Sequence, residues 1–69
     1  MNELFFLVEE AAEGGYIAKA LGAPIYTQGE SLEELRANIR DAVACHFGDD
    51  DKPALIRLHI VKDETLSYA

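Results

Sequence analysis

Sixty-nine residues leave room for one small core, at a size where a chain buries only about 60% of the surface it exposes unfolded and a partner subunit bears on stability. Thirteen acidic against six basic side chains give a formal charge of −7 with both histidines neutral, which argues against binding nucleic acid or anionic lipid through a basic surface. A hydrophobic content of 49% excludes a disordered acidic tail, and the single cysteine, Cys45, excludes an intrachain disulfide.

Residues 4–8, Leu-Phe-Phe-Leu-Val, form an apolar run too short for a helix, a signal peptide or a membrane span, and they read as a first strand ending in Glu9-Glu10. No basic region precedes the run, and a secreted domain of this size normally needs disulfide staples, so a cytoplasmic protein is expected. Glu13-Gly14-Gly15 is a turn, because consecutive glycines supply positive φ without steric penalty. Residues 16–21 then make a second, antiparallel strand. Gly22-Ala23-Pro24 interrupts, and Ile25-Tyr26-Thr27 gives a brief third strand, placed at an edge because Pro24 lacks an N–H for the ladder.

Ser31-Leu32-Glu33-Glu34 is a capping box, with Ser31 as the cap and Glu34 reaching back. Leu32, Leu35, Ile39, Ala42, Val43, His46 and Phe47 recur at helical spacing as one apolar stripe, with Arg36, Arg40 and Asp41 opposite and Gly48 as a C-terminal cap. A polar loop, Asp49-Asp50-Asp51-Lys52-Pro53, leads to a last strand over residues 54–61. There Ile56, Leu58 and Ile60 face one way and Arg57 and His59 the other. Residues 62–69 are a tail. The expected fold is a single α+β domain over residues 1–69, with its core at about 4–61, in the order βββαβ and with a sheet ordered 3-2-1-4 carrying one helix on one face.

One helix covers one face, yet the first strand is apolar on both: Leu4, Phe6 and Val8 on one side, Phe5 and Leu7 on the other. The second face therefore calls for another copy or another protein, and a homodimer contacting through Phe5, Leu7 and the outward His59 is expected.

Catalytic signals are thin. Glu9, Glu10 and Glu13 crowd the first hairpin and Asp49, Asp50 and Asp51 follow the helix, but the second run lacks the alternating ligands and closing glutamate of a calcium loop. Both sets are candidate contacts for a basic protein partner. His46 lies in the apolar stripe near the negative pole of the helix, and no nucleophile accompanies either histidine. Cys45 sits towards a helix C-terminus, whose negative pole does not activate a thiol as a nucleophile. Gly14, Gly15 and Gly22 match no phosphate-binding loop. No enzyme activity, cofactor or metal site is expected.

The strand ending in Glu9-Glu10, then Gly14-Gly15-Tyr16-Ile17-Ala18, then Thr27-Gln28-Gly29-Glu30-Ser31-Leu32-Glu33-Glu34-Leu35 and Asn38-Ile39-Arg40-Asp41-Ala42-Val43 resembles the HicB family of bacterial and archaeal antitoxins over about residues 4–61. The resemblance implies a partial RNase H-like domain that neutralises a small basic RNA-cleaving toxin, HicA. Residues 20–25, Ala-Leu-Gly-Ala-Pro-Ile, replace the Pro-x-Leu-Pro-Gly-Cys stretch of many members. Full-length members continue into an operator-binding domain, whereas this chain runs eight residues past Val61, so a short form without operator binding is expected. Two other expectations are carried: an orphan dimeric module for another protein or a small ligand, and, behind it, a Mg²⁺ nuclease. The nuclease needs carboxylates converging on paired ions, for which Glu9, Glu34 and Asp63 are the candidates.

Overall fold

The computed structural model of this chain describes residues 2–48 and 51–68. Its elements in chain order are β1 (Glu3–Glu10), β2 (Tyr16–Leu21), β3 (Tyr26–Gly29), α1 (Leu32–Phe47) and β4 (Leu55–Val61). They form a four-stranded mixed sheet ordered β3-β2-β1-β4 with one helix among the described residues, the α+β βββαβ arrangement expected from sequence. β1 is antiparallel to β2 and parallel to β4, and β2 is antiparallel to β3. The short β3 is an edge strand, as expected, although Pro24 lies two residues before it and takes no part in its ladder.

The bounds of β1, β3 and β4 differ from the sequence reading, β4 by starting at Leu55 rather than residue 54 and β3 by running on to Gly29. β1 ends at Glu10 as expected but begins one residue earlier, at Glu3, which pairs with Leu55 of the parallel partner β4. β3 begins after Ile25, whose backbone serves the turn instead: its N–H donates to Ala23 O and its carbonyl accepts from Ala20 N–H, both at 2.9 Å, while its side chain is buried.

The helix starts and stops where its local chemistry says. Ser31 Oγ accepts the Glu34 backbone N–H at 3.1 Å, and Gly48, at φ 65, donates its N–H to Ala44 O at 2.9 Å. The reciprocal half of the capping box is not formed among the described residues, which leaves the exposed Glu34 carboxylate facing a cleft.

The core lies between α1 and the sheet. Leu4, Phe6 and Val8 of β1, Ala18 of β2 and Ile25 meet Leu35, Ile39 and Val43 of α1, all buried. A buried side chain of this kind contributes about 1.5–3 kcal/mol relative to exposure, so these eight carry most of the hydrophobic stabilisation of so small a domain. His46 departs from its expected place in the stripe. It is exposed, its ring nearly perpendicular to that of Phe47 with centroids 4.7 Å apart, and Phe47 is half-buried against the core instead. The helix, about 24 Å long at 1.5 Å per residue, outruns the four-residue β3 beneath it, so its last turn has less sheet to bury against. α1 lies over β3 and β2 rather than over β4. Consequently Ile56 and Leu58 are only half-buried and Ile60 is 46% exposed, although all three face the helix side as their alternation requires.

Candidate functional site

Strand direction decides which charges meet. β1 runs towards its Glu9-Glu10 end and the hairpin returns as β2, with Glu10 opposite Tyr16 and Tyr16 opposite Gly29 at the end of β3. α1 begins at that same end, and β4, parallel to β1, finishes there with Val61 opposite Glu9. The topology thus gathers Glu9, Glu10 and Glu13 with Glu30, Glu33, Glu34 and Asp63. These are seven of the chain's 13 acidic side chains, accompanied by Lys62 on the same stretch as Asp63.

Two glycines hold this end together. Gly15 sits at φ 78, and a Cβ there would lie 2.7 Å from Gly29 O, so the hairpin backbone lies directly against the end of β3. At Gly29 a Cβ would lie 2.6 Å from Leu35 N, so β3 in turn lies directly against the first turns of α1. The Asn38 side-chain amide donates to Gln28 O at 2.7 Å and ties the helix to the same strand. The hairpin loop is closed by Ala11 N–H to Gly15 O at 2.9 Å and Gly14 N–H to Ala11 O at 3.1 Å.

An open cleft of about 640 Å³ results, lined by the hairpin, Gln28, Glu30, Glu34 and Asn38. A second depression, about 220 Å³, lies between Glu9, Glu10 and Asp63. Sequence reasoning singled out Glu9, Glu10 and Glu13 as partner contacts and missed Glu30 and Glu33 as their neighbours. The signal was available in part, because a helix that follows an upward strand must begin at the hairpin end. Arranged this way the carboxylates project a concentrated negative field from one end of the molecule, which attracts cationic side chains and steers a basic protein.

The second candidate set does not join them. Asp51 precedes β4, at the opposite end of the sheet where Leu55 pairs with Glu3, and Asp49 and Asp50 lie outside the described residues. The triad considered for Mg²⁺ is also divided. Glu9 and Asp63 share one depression and Glu34 lines the other, and among the described residues no three His, Cys, Asp or Glu side chains are placed to hold a metal ion. Cys45 is exposed and free.

The expected dimer contacts do come together. Phe5, Leu7 and His59 share the sheet face away from α1, since Phe5 pairs with Arg57 and Leu7 with His59 across β1 and β4. With Leu21 and Arg57 they line a shallow depression of about 460 Å³, and the Arg57 guanidinium lies 6.0 Å from the Phe5 ring centroid while its Nε donates to Glu3 Oε1 at 2.8 Å. Among the described residues no helix is long and apolar enough to cross a membrane.

No family model matches the chain, and no solved structure matches it. Two curated relatives do. A UPF0150 protein of Thermotoga maritima is 43% identical over 66 residues, covering 96% of this chain and 93% of the relative. A UPF0150 protein of Archaeoglobus fulgidus is 52% identical over 55 residues, covering 80% of this chain and 82% of the relative. Identity at that level across nearly the whole domain makes this chain a member of the UPF0150 protein family.

Proposed function

We propose that this chain is a HicB-like, non-catalytic protein-binding module whose acidic end receives a small basic partner, of the class of RNA-cleaving toxins to which HicA belongs. The observation that carries the proposal is the gathering of Glu9, Glu10, Glu13, Glu30, Glu33, Glu34 and Asp63 at one end of the sheet. A toxin that grips RNA must present cations to phosphates, and a surface dense in carboxylates competes for those same cations. Occupying them blocks the RNA-contacting surface without any chemistry on the antitoxin side. The cleft between the hairpin and α1 gives the interaction shape as well as charge, because a long Lys or Arg side chain can enter it between Glu30 and Glu34.

The test is whether an adjacent reading frame encodes a small basic protein that binds this chain by titration calorimetry, with the double variant Glu10→Lys, Glu13→Lys as comparison. The variant is expected to bind at least about tenfold more weakly in low salt, and wild-type association to slow as ionic strength shortens the screening length towards about 8 Å at 0.15 M. Binding that is unchanged by the double reversal refutes the proposed surface.

A further inference from the structure

The sheet face opposite α1 gathers four of the exposed large apolar side chains among the described residues. Phe5 is 43% exposed, Leu21 57%, Tyr26 58% and Leu55 56%, and the strand registers place all four on this one face. Its charge is as informative as its apolarity. The ionised side chains carried by the face are Glu3 and Glu9 against Lys19 and Arg57, so its formal charge is zero in a chain of −7. His59, on the same face, is neutral in that count, and Glu3 and Arg57 already neutralise each other at 2.8 Å.

That combination selects the occupant. A basic protein or a nucleic acid gains no long-range attraction to a neutral face, and the acidic end draws the former elsewhere. A second copy of this chain is repelled by almost any approach except one that brings neutral surface to neutral surface. We propose that the open face of the sheet is covered by the same face of a second copy, in a two-fold, isologous dimer with Phe5 and Leu7 at its centre. The area is adequate. Four strands about 4.8 Å apart and about 20 Å long enclose roughly 400 Å² in plan, so two facing copies bury on the order of 1,000 Å² in total, the lower bound of a specific interface. The dimer leaves the rest of both acidic ends open, since among those carboxylates it is Glu9 that the strand registers place on the shared face, whether or not they take the partner proposed above.

Sedimentation equilibrium between about 1 and 300 μM tests the proposal, with far-ultraviolet circular dichroism to verify folding. Wild type is expected to approach twice the chain mass. Phe5→Glu, which places unpaired charge at the centre of the interface, is expected to raise the dissociation constant at least about thirtyfold. Leu21→Lys, at a more exposed position, repeats the test should Phe5→Glu fail to fold. Ile60→Lys lies on the helix side of the β4 edge and is expected to leave the dimer intact. A wild type monomeric throughout overturns the proposal. So does a dimer that survives Phe5→Glu and Leu21→Lys, or one that Ile60→Lys dissociates, since either result moves the contact to another surface such as the unpaired edge of β4.

Discussion

Gly29→Ala tests how closely the end of β3 and the start of α1 depend on each other. A Cβ at this position would lie 2.6 Å from Leu35 N and 2.8 Å from Leu35 Cα, against the 3.4 Å at which ordinary contact begins. These are backbone atoms, so no side-chain rotation relieves the overlap. The first turns of α1 must withdraw by about 0.7 Å, a gap that forfeits a quarter to a half of the dispersion attraction across it. Leu35 is fully buried and Ile39 nearly so, and losing that share of burial worth about 1.5–3 kcal/mol at each comes to about 1–3 kcal/mol. Alanine restricts the unfolded chain and returns about 0.4–1 kcal/mol, leaving a net destabilisation of about 1–2 kcal/mol. A 69-residue domain has roughly 3.5–10 kcal/mol in total, so the effect is large. Urea unfolding followed by circular dichroism at one fixed protein concentration is expected to show the midpoint falling by about 1–2 M. Gly14→Ala is the comparison: nothing lies within 4 Å of its Cβ, and its φ of 104 alone contributes the strain. A midpoint for Gly29→Ala within about 0.3 M of wild type would refute the reasoning, because it would show that α1 does not bear on β3 at this point.

Two further outcomes follow from local chemistry. Ser31→Ala removes the acceptor for the Glu34 N–H at 3.1 Å and is expected to lower stability by about 1 kcal/mol, read as a fall in the urea midpoint; Ser31→Asn is expected to restore most of it. Neutralising the acidic end with Glu10→Gln and Glu13→Gln together is expected to leave thermal stability unchanged or slightly raised, within about 0.5 kcal/mol, since both side chains are exposed and like-charged. A clear loss of stability would give these carboxylates a structural role and weaken the case that they serve a partner.

Much of the fold is legible because its signals are local. The Ser31 cap, the recurrence of Leu35, Ile39 and Val43, and Gly48 at φ 65 each act within a turn of backbone. The alternation of Leu4, Phe6 and Val8 against Phe5 and Leu7 likewise marks two apolar faces on β1, and only one of them is buried in the chain itself. What was less legible depends on where an element ends up lying. His46 has the right spacing to be buried and is exposed, because α1 reaches past the short β3 and Phe47 takes the remaining contact. Gly29 stands in sequence only in the stretch that leads into the helix, while its requirement for a missing Cβ comes from a helix backbone six residues further on.

The opening balance of charge divides along the same line. Sequence by itself determined that the chain is acidic, that it carries two acidic runs, and that its cations, Lys19, Arg36, Arg40, Lys52, Arg57 and Lys62, fall on separate elements. Only the tertiary structure decided how those charges are distributed. Parallel pairing of β1 with β4 carries Asp63 to the Glu9 end and sends Asp51 to the other, and the start of α1 adds Glu30, Glu33 and Glu34. The same registers set Lys19 and Arg57 beside Glu3 and Glu9 on one apolar face and cancel their charge. The physical reason is that side-chain character is fixed residue by residue, whereas a field or an interface depends on strand direction and register, which join residues more than 50 positions apart, such as Glu3 and Arg57.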